Sequence, residues 1–298
     1  MINLFRFGCF FKRGMLLLAT VWLSLQSGPL IAKTSVSAPC DKLPGMDSVK
    51  SRKERFFLFG ELHGTNEVPQ IFSDLICSFG KKQELLVLLE MDQDQQRSLD
   101  SYMASARKTN DVANLLGNDH WKFGVDGRAS AAMLRLIDRI AELKGAGFRI
   151  SLRAFHPSFV ESREVDAREA AIARSWQELT SRFPKSRVLV LTGLYHIGRL
   201  PSLGGSPAAM RIPTRDVISF RPLLQGGNAW SCQGTKCDVN EVEIIYEGRR
   251  GILSSSKAKM TDENTIDEVI YYYSTGSSYS ASFPASPEAI EMAKKISG

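Results

Sequence analysis

The chain has 298 residues, 43% of them hydrophobic and 23% charged, with a formal net charge of +6. That length and apolar content suit one main domain with a sizeable buried core, and they exclude a disordered or low-complexity chain. Three of the six excess positive charges, Arg6, Lys12 and Arg13, lie in the first 32 residues, so the remainder carries +3. Beyond residues 50–55 no basic run stands out, which argues against a nucleic-acid partner.

Those basic residues precede an apolar stretch, residues 15–25, followed by Gly28-Pro29 and Leu30-Ile31-Ala32. The pattern reads as an export signal cleaved near Ala32, because the stretch falls short of the roughly 20 apolar residues that a spanning helix needs. A periplasmic or secreted protein with no stable membrane span is expected. Cys9 leaves with the signal, and the even set that remains, Cys40, Cys77, Cys232 and Cys237, points to two disulfides. Cys232 and Cys237 bracket only Gln-Gly-Thr-Lys and are expected to pair, which leaves Cys40 for Cys77. A structural zinc at Cys232 and Cys237 ranks below the disulfide, since no histidine or second cysteine pair lies near.

Residues 33–55 read as an N-terminal extension. From residue 56 apolar runs alternate with helical patterns, which is the mark of βαβ units and a parallel sheet. Strands are expected over 56–60, 85–90, 148–154 and 187–192. Asn66 is placed to cap a helix to about residue 79, with Glu67 complementing its dipole. Asp92 and Gln95 read as a capping box for a helix over 93–106. Ser130 heads a helix over 131–144 with Met133, Leu136, Ile137 and Ile140 at helical spacing. A fourth helix is expected over 162–183. Further on, 217–220, 241–246 and 269–273 are β-rich and read as antiparallel, 254–256 and 274–282 as loops, and 286–296 as a terminal helix. The fold class is therefore α/β: a parallel-sheet core with flanking helices over 56–213, and an antiparallel C-terminal extension over 214–298 packed on it.

Two Gly-x-x-His tetrads, Gly60-Glu61-Leu62-His63 and Gly193-Leu194-Tyr195-His196, each follow an apolar run, in a chain with only four histidines. A glycine at such a place lets the backbone turn sharply out of a strand. In an open parallel sheet, ligands bind beyond the carboxyl ends of the strands, and every candidate falls there: Glu61 and His63, Glu90, Arg153 and His156, Tyr195 and His196. Two chemistries fit this set. In one, His63 and His196 with Glu61, or Glu90 in its place, hold a divalent metal ion that activates water. In the other, Glu61 or Glu90 orients a histidine base while Arg153 or Tyr195 stabilises an oxyanion. Both lead to hydrolysis of an ester or peptide bond in a small-molecule or peptide substrate. His120, beside Trp121, reads as an ordinary surface or hinge histidine, Asp92 as a cap, and His156, which precedes Pro157, as better suited to bonding its own loop than to the site.

The segments Gly60-Glu-Leu-His-Gly-Thr-Asn-Glu67, Leu89-Glu-Met-Asp-Gln-Asp-Gln-Gln96 and Gly193-Leu-Tyr-His-Ile-Gly198 resemble the ChaN-like haem-uptake proteins. These sit in a wider superfamily with the erythromycin esterases and the TIKI/TraB metalloproteases. The resemblance spans about residues 56–213 and implies that Glu61, His63, Glu90 and His196 form the superfamily's central polar site. Its branches imply different activities: haem binding at the cell envelope, lactone hydrolysis without an obligatory metal, and metal-dependent peptide hydrolysis. Haem, or an iron compound, is thus the alternative cofactor or cargo, and a catalytically silent binding scaffold the third reading. No haem ligand of that family maps onto this chain. Cys40 follows Pro39 and lacks a lipobox, so a lipid anchor is not expected.

Overall fold

The computed structural model describes residues 40, 42–157, 164–201, 205–233, 236–257 and 269–297, all within one compact unit. The expected export signal lies outside these residues. In chain order the elements are α1 (Met46–Lys50), β1 (Phe56–Glu61), α2 (Glu67–Phe79), β2 (Glu84–Asp92), α3 (Gln96–Ala104), α4 (Thr109–Leu116), α5 (Asp119–Phe123) and α6 (Ala131–Gly145). There follow β3 (Arg149–His156), α7 (Val165–Ser181), β4 (Arg187–Gly193), β5 (Val217–Pro222), β6 (Asn228–Gln233), β7 (Lys236–Glu241), β8 (Gly251–Lys257), β9 (Val269–Ser274) and α8 (Pro287–Ser297). No helix among the described residues is long and apolar enough to cross a membrane.

Seven strands form one sheet in the order β3-β2-β4-β1-β5-β9-β8. All neighbours pair in parallel except β8 on β9. A parallel sheet is covered on both faces, so its strands read as continuous apolar runs rather than alternating ones, and every residue of β1 is buried. Alternate side chains still part to opposite faces. Phe57, Phe59, Val87 and Leu89 pack under α2 and α6, whereas Phe56, Leu58, Leu86 and Leu88 pack against Trp176 of α7. The outer edge of β3 is closed by one side chain: Gln96 Oε1 accepts from Ala154 N at 2.8 Å and its Nε2 donates to the Leu152 carbonyl at 3.2 Å. Such a cover occupies part of the edge that would otherwise be open to another strand.

Some expectations are corrected here. β5 joins β1 in parallel and β9 joins β5 in parallel, so the antiparallel part is confined to β8 on β9 and to the β6–β7 hairpin. Residues 242–246 form no regular strand: they bond to the irregular segment 224–227, with one isolated bridge between Ile244 and Gln225. The helix expected over 93–106 is a 3-10 turn, Gln93–Gln95, followed by α3, and the Asp92 side chain makes no cap hydrogen bond. Asn66 precedes α2 but donates instead to Ser280 and Ala281. Ser130 does cap α6, accepting from Met133 N. Both disulfides join as expected: Cys40 with Cys77 at the end of α2, and Cys232 with Cys237, which face each other in the β6–β7 register.

The C-terminal segments brace the loop after β1. Gly64 has a φ of +74° and a Cβ there would stand 1.9 Å from the Trp230 carbonyl oxygen, so only glycine fits. Its own carbonyl accepts from Trp230 N and Ser282 N at 2.9 and 2.7 Å. Tyr273 of β9 donates to the Gly60 carbonyl at 2.6 Å, and Trp230 Nε1 donates to the Val125 carbonyl at 2.8 Å. The loops that carry His63 and Arg128 are thereby fixed by chain more than a hundred residues away.

Candidate active site

Because β4 lies between β2 and β1, the tetrad that closes β4 emerges between Glu90 and Glu61. The two tetrads make room for each other. A Cβ on Gly193 would approach His63 Nε2 to 2.9 Å, and a Cβ on Gly60 would meet Leu194 and Ile197 side-chain carbons at 2.8 and 2.6 Å. Neither glycine has a positive φ, so their role is close approach rather than the sharp turn that the motif alone suggests. After Gly193, His196 N donates to the Gly193 carbonyl at 3.0 Å, and this turn returns the imidazole over the strand ends.

Glu90 is the centre of the cluster, 4% exposed. Its Oε2 accepts from Thr192 Oγ1 at 2.6 Å and from Gly193 N at 2.8 Å. His63 Nε2 lies 3.7 Å from Glu90 Oε2, and His196 Nε2 lies 3.5 Å from Glu90 Oε1. Each imidazole has a second carboxylate behind it: Glu61 Oε2 is 3.2 Å from His63 Nδ1, and Glu169 Oε2 is 2.8 Å from His196 Nδ1. Arg128 Nη1 reaches Glu90 Oε1 at 3.4 Å while its other nitrogens hold Asp126 at 2.7 and 3.0 Å. The His63 side chain is 27% exposed against 10% for His196, so His63 is the ring that faces the crevice.

The charges follow from this packing. Burial works against the imidazolium at His196, but the bonds to Glu169 and Glu90 outweigh it and push its pKa up to about 9. At His63 burial is likewise outweighed, by the charges of Glu61 and Glu90, and the pKa is raised. Burial alone would favour a protonated Glu90; His63, the His196 hydrogen bond and Arg128 reverse this and hold it well below the usual carboxylate range. Asp126 is lowered against its own burial by Arg128.

Four of the residues singled out in the sequence, Glu61, His63, Glu90 and His196, thus come together in one cluster. Three do not join them. Arg153 turns outward to Asp100 at 3.2 Å and stacks over the Phe183 ring, because β3 is the sheet's edge and its guanidinium has solvent to reach. Tyr195 packs edge-on against the His196 ring but donates its hydroxyl to the Gly205 carbonyl at 3.3 Å. His156 faces Asp92, with 3.3 Å between its Nδ1 and Oδ1, rather than Glu90. His120 is not a surface residue: it is 9% exposed, with Nδ1 3.6 Å from Asp92 Oδ2.

Two partners escape a reading by strand ends. Glu169 lies within α7 and is fully buried, and Arg128 lies in the short turn Gly127–Ala129 before α6. Glu169 does carry a signal. It shares a helical stripe with Ile172, Ala173 and Trp176, so it is a carboxylate on an apolar face.

A divalent ion finds a poor donor set. Among the described residues no group of three His, Cys, Asp or Glu side chains is disposed to hold one. Glu90 Oε2 already accepts two hydrogen bonds, and the Arg128 guanidinium stands beside Oε1, where a cation would be repelled. Of the tyrosines near these strands, Tyr102 places its hydroxyl 3.1 Å from Asp138 and Tyr195 is bonded as described.

No protein-family model matches this sequence, and no curated protein sequence does. Among solved structures the chain is similar to a histidine mutant of erythromycin esterase EreC in its open conformation. That match has 11% identity and a TM-score of 0.54, and it covers 79% of this chain and 92% of that one. A weaker similarity, TM-score 0.43 at 11% identity, is to the type III effector HopBA1, over 74% of this chain and 88% of that one. The likeness to EreC is one of fold: a mostly parallel sheet between helices.

Proposed function

We propose that this chain is an exported hydrolase that cleaves an ester or peptide bond by metal-independent acid–base catalysis. The observation that carries the reading is Glu90 shared between His63 and His196, each imidazole backed by a carboxylate of its own. A purely structural ion pair needs one histidine and one acid. Two histidines of unequal exposure, His63 toward the crevice and His196 held protonated by Glu169 and Glu90, suit a division into base and acid.

In this mechanism Glu61 orients His63 through Nδ1, leaving Nε2 to take a proton from water as the water oxygen attacks the carbonyl carbon. Negative charge grows on the carbonyl oxygen, and Arg128, fixed by Asp126 and one-third exposed, faces it. His196, protonated at neutral pH with Glu169 behind it, gives its proton to the departing oxygen or nitrogen as the tetrahedral intermediate collapses. Glu90 supports both rings electrostatically. The erythromycin esterase fold is compatible with such a site, and the two disulfides fit an oxidising compartment after export.

The test is a panel of chromogenic esters and peptides offered to the mature protein, its His63→Ala and His196→Ala variants, and Arg128→Ala. Loss of one oxyanion donor typically lowers kcat by about 10²–10³, and removal of either histidine is expected to abolish turnover with the fold retained by circular dichroism. Full activity in either histidine variant overturns the assignment.

A further inference from the structure

The Glu/His cluster occupies the carboxyl ends of the strands, and the opposite end of the sheet is strongly basic. Four stretches lead into four adjacent strands there: residues 144–149 into β3, 80–84 into β2, 182–187 into β4 and 50–55 into β1. Together they hold eleven lysines and arginines against two acids, Glu54 and Glu84, a net of +9. Residues 33–298 carry +3 in all, so everything outside these stretches sums to −6. The basic ground is bounded: residues 214–216, which lead into β5, are neutral, and 258–268, between β8 and β9, sum to −3. Two acids border it on the last turns of α6 and α7, Glu142, which is paired with Arg139, and Glu178. No single run of sequence reveals this face, because each stretch supplies only two to four of its cations.

Contacts join the stretches into one surface. Arg55 donates to the Thr180 and Phe183 carbonyls at 2.9 and 3.0 Å, and Arg187 donates to the Arg52 carbonyl at 2.6 Å and lies over the Phe79 ring at the end of α2. Arg149 pairs with Glu84 at 2.9 Å, and Lys81 lies over the Phe148 ring. With neighbouring strands about 4.8 Å apart, the surface extends roughly 15 Å along the sheet. Lys50, Lys53, Lys82, Lys144, Arg182 and Lys185 are exposed on it, and none has an acid partner among the described residues. Helix ends explain part of this, since Lys144 lies in the last turn of α6 and Arg182 follows α7, where free carbonyls favour a cation. They do not explain Lys53, Lys82 and Lys185, which stand in turns. Like charges set side by side without partners repel one another and add nothing to the stability of the fold.

We propose that this face seats the protein on an anionic lipid bilayer, with the crevice turned away from the membrane. A spread of cations along one side of the sheet matches a plane of headgroup phosphates, which attract each lysine or arginine brought near them. A nucleic acid fits less well. The stretches hold only two aromatic residues, Phe148, which is buried, and Phe183, which lies under the Arg153 guanidinium, so no ring is free to stack on a base. None of the exposed large apolar side chains falls in these stretches either, so the contact is electrostatic and reversible, without insertion into the acyl layer. Export, proposed above, brings the chain to such a surface. The assignment does not depend on the hydrolytic reading of the crevice.

The experiment sediments the mature protein with vesicles of phosphatidylcholine alone, and of phosphatidylcholine with an equal part of phosphatidylglycerol, at about 0.15 M and about 1 M salt, where the screening length is about 8 and about 3 Å. The wild type is expected to bind the anionic vesicles about tenfold or more tightly than the neutral ones, and to leave them at the higher salt. Two charge reversals on the face, Lys53→Glu with Lys185→Glu and Lys82→Glu with Lys144→Glu, are each expected to lower that affinity about tenfold or more, with the fold checked by circular dichroism. Lys236→Glu with Lys294→Glu changes net charge equally at two exposed positions on β7 and α8, and is expected to leave the affinity within about twofold. Equal binding to both vesicles, binding that survives the higher salt, or the same loss in all three double variants overturns the proposal. Tighter binding to duplex DNA or to heparin than to the anionic vesicles overturns it as well.

Discussion

Gly193 and His63 interlock across two strands that are 132 residues apart in sequence but adjacent in the sheet, Glu61 pairing with Gly193. The space that a Cβ would fill at position 193 is taken by the His63 ring, 2.9 Å away. A change at this glycine therefore acts on the base itself, without touching the core.

Gly193→Ala is accordingly expected to displace the His63 ring while leaving most stability in place. Position 193 is not in a left-handed conformation, so backbone strain adds nothing. A displacement on the order of 1 Å of a catalytic group lowers rate about 10²-fold. Steady-state kinetics beside a thermal melt check this, and a fall in melting temperature with unchanged kcat would contradict it.

The buried pair His196 and Glu169 makes stability depend on pH in a definite direction. The folded state holds the His196 proton more tightly, with a pKa of about 9 against an ordinary 6.5. The stabilisation is therefore complete below about pH 6.5 and is lost as pH rises toward 9. Denaturant unfolding of the wild type is expected to show falling stability across that window. Glu169→Gln keeps the shape and the contact to Ala208 N but removes the charge, so the slope should flatten. An unchanged slope would show that the His196 proton is not held by Glu169.

How much of this site was legible from sequence depends on where each residue sits. Glu61, His63, Glu90 and His196 follow apolar runs at strand ends, and parallel-sheet geometry is enough to gather such residues at one edge. Arg153 and His156 end a strand as well, yet β3 is an edge strand, and that order is fixed by long-range pairing which no local pattern reveals. Asp92 looks like a cap because Gln95 follows at the right spacing; a 3-10 turn at 93–95 frees its carboxylate for two histidines instead. Residues 107–130 show no periodicity, so the short α4 and α5 and the Arg128 turn between the second strand and α6 pass unnoticed. Their places are set by tertiary contacts, such as Trp230 with Val125, rather than by local preference.

The C-terminal hairpin yields a third expectation. Cys232 and Cys237 close a small loop directly opposite each other, and Trp230 of the same strand bonds both the Gly64 and Val125 segments. A cross-link of this size contributes about 2 kcal/mol in the chain-entropy account. The double variant Cys232→Ser with Cys237→Ser is expected to lose about that much stability and to lower kcat as well, because His63 and Arg128 sit on the two segments the hairpin braces. Hydrogen exchange at the Trp230 amide and the Trp230 indole N–H, which donate to the Gly64 and Val125 carbonyls, should rise together. A stability loss with kcat unchanged would show that the hairpin holds the fold but not the site.

Metal dependence gives the last expectation. A catalytic ion would have to displace Thr192 and Gly193 from Glu90 and sit beside the Arg128 guanidinium, and each of those contacts favours the anion that Glu90 already is. Coordination also releases protons from its ligands, whereas the His196 imidazole is held in the protonated form by Glu169 and Glu90. Turnover is therefore expected to survive exhaustive dialysis against a chelator, and elemental analysis of the native protein should find no stoichiometric zinc, manganese or iron. Activity lost on dialysis and restored by one divalent ion would mean that Arg128 swings away from Glu90, and it would replace the acid–base mechanism with a metal-bound water. Arg128→Gln distinguishes the two: it removes the repulsion, so it should strengthen ion binding while weakening the metal-free reaction by the loss of its oxyanion donor.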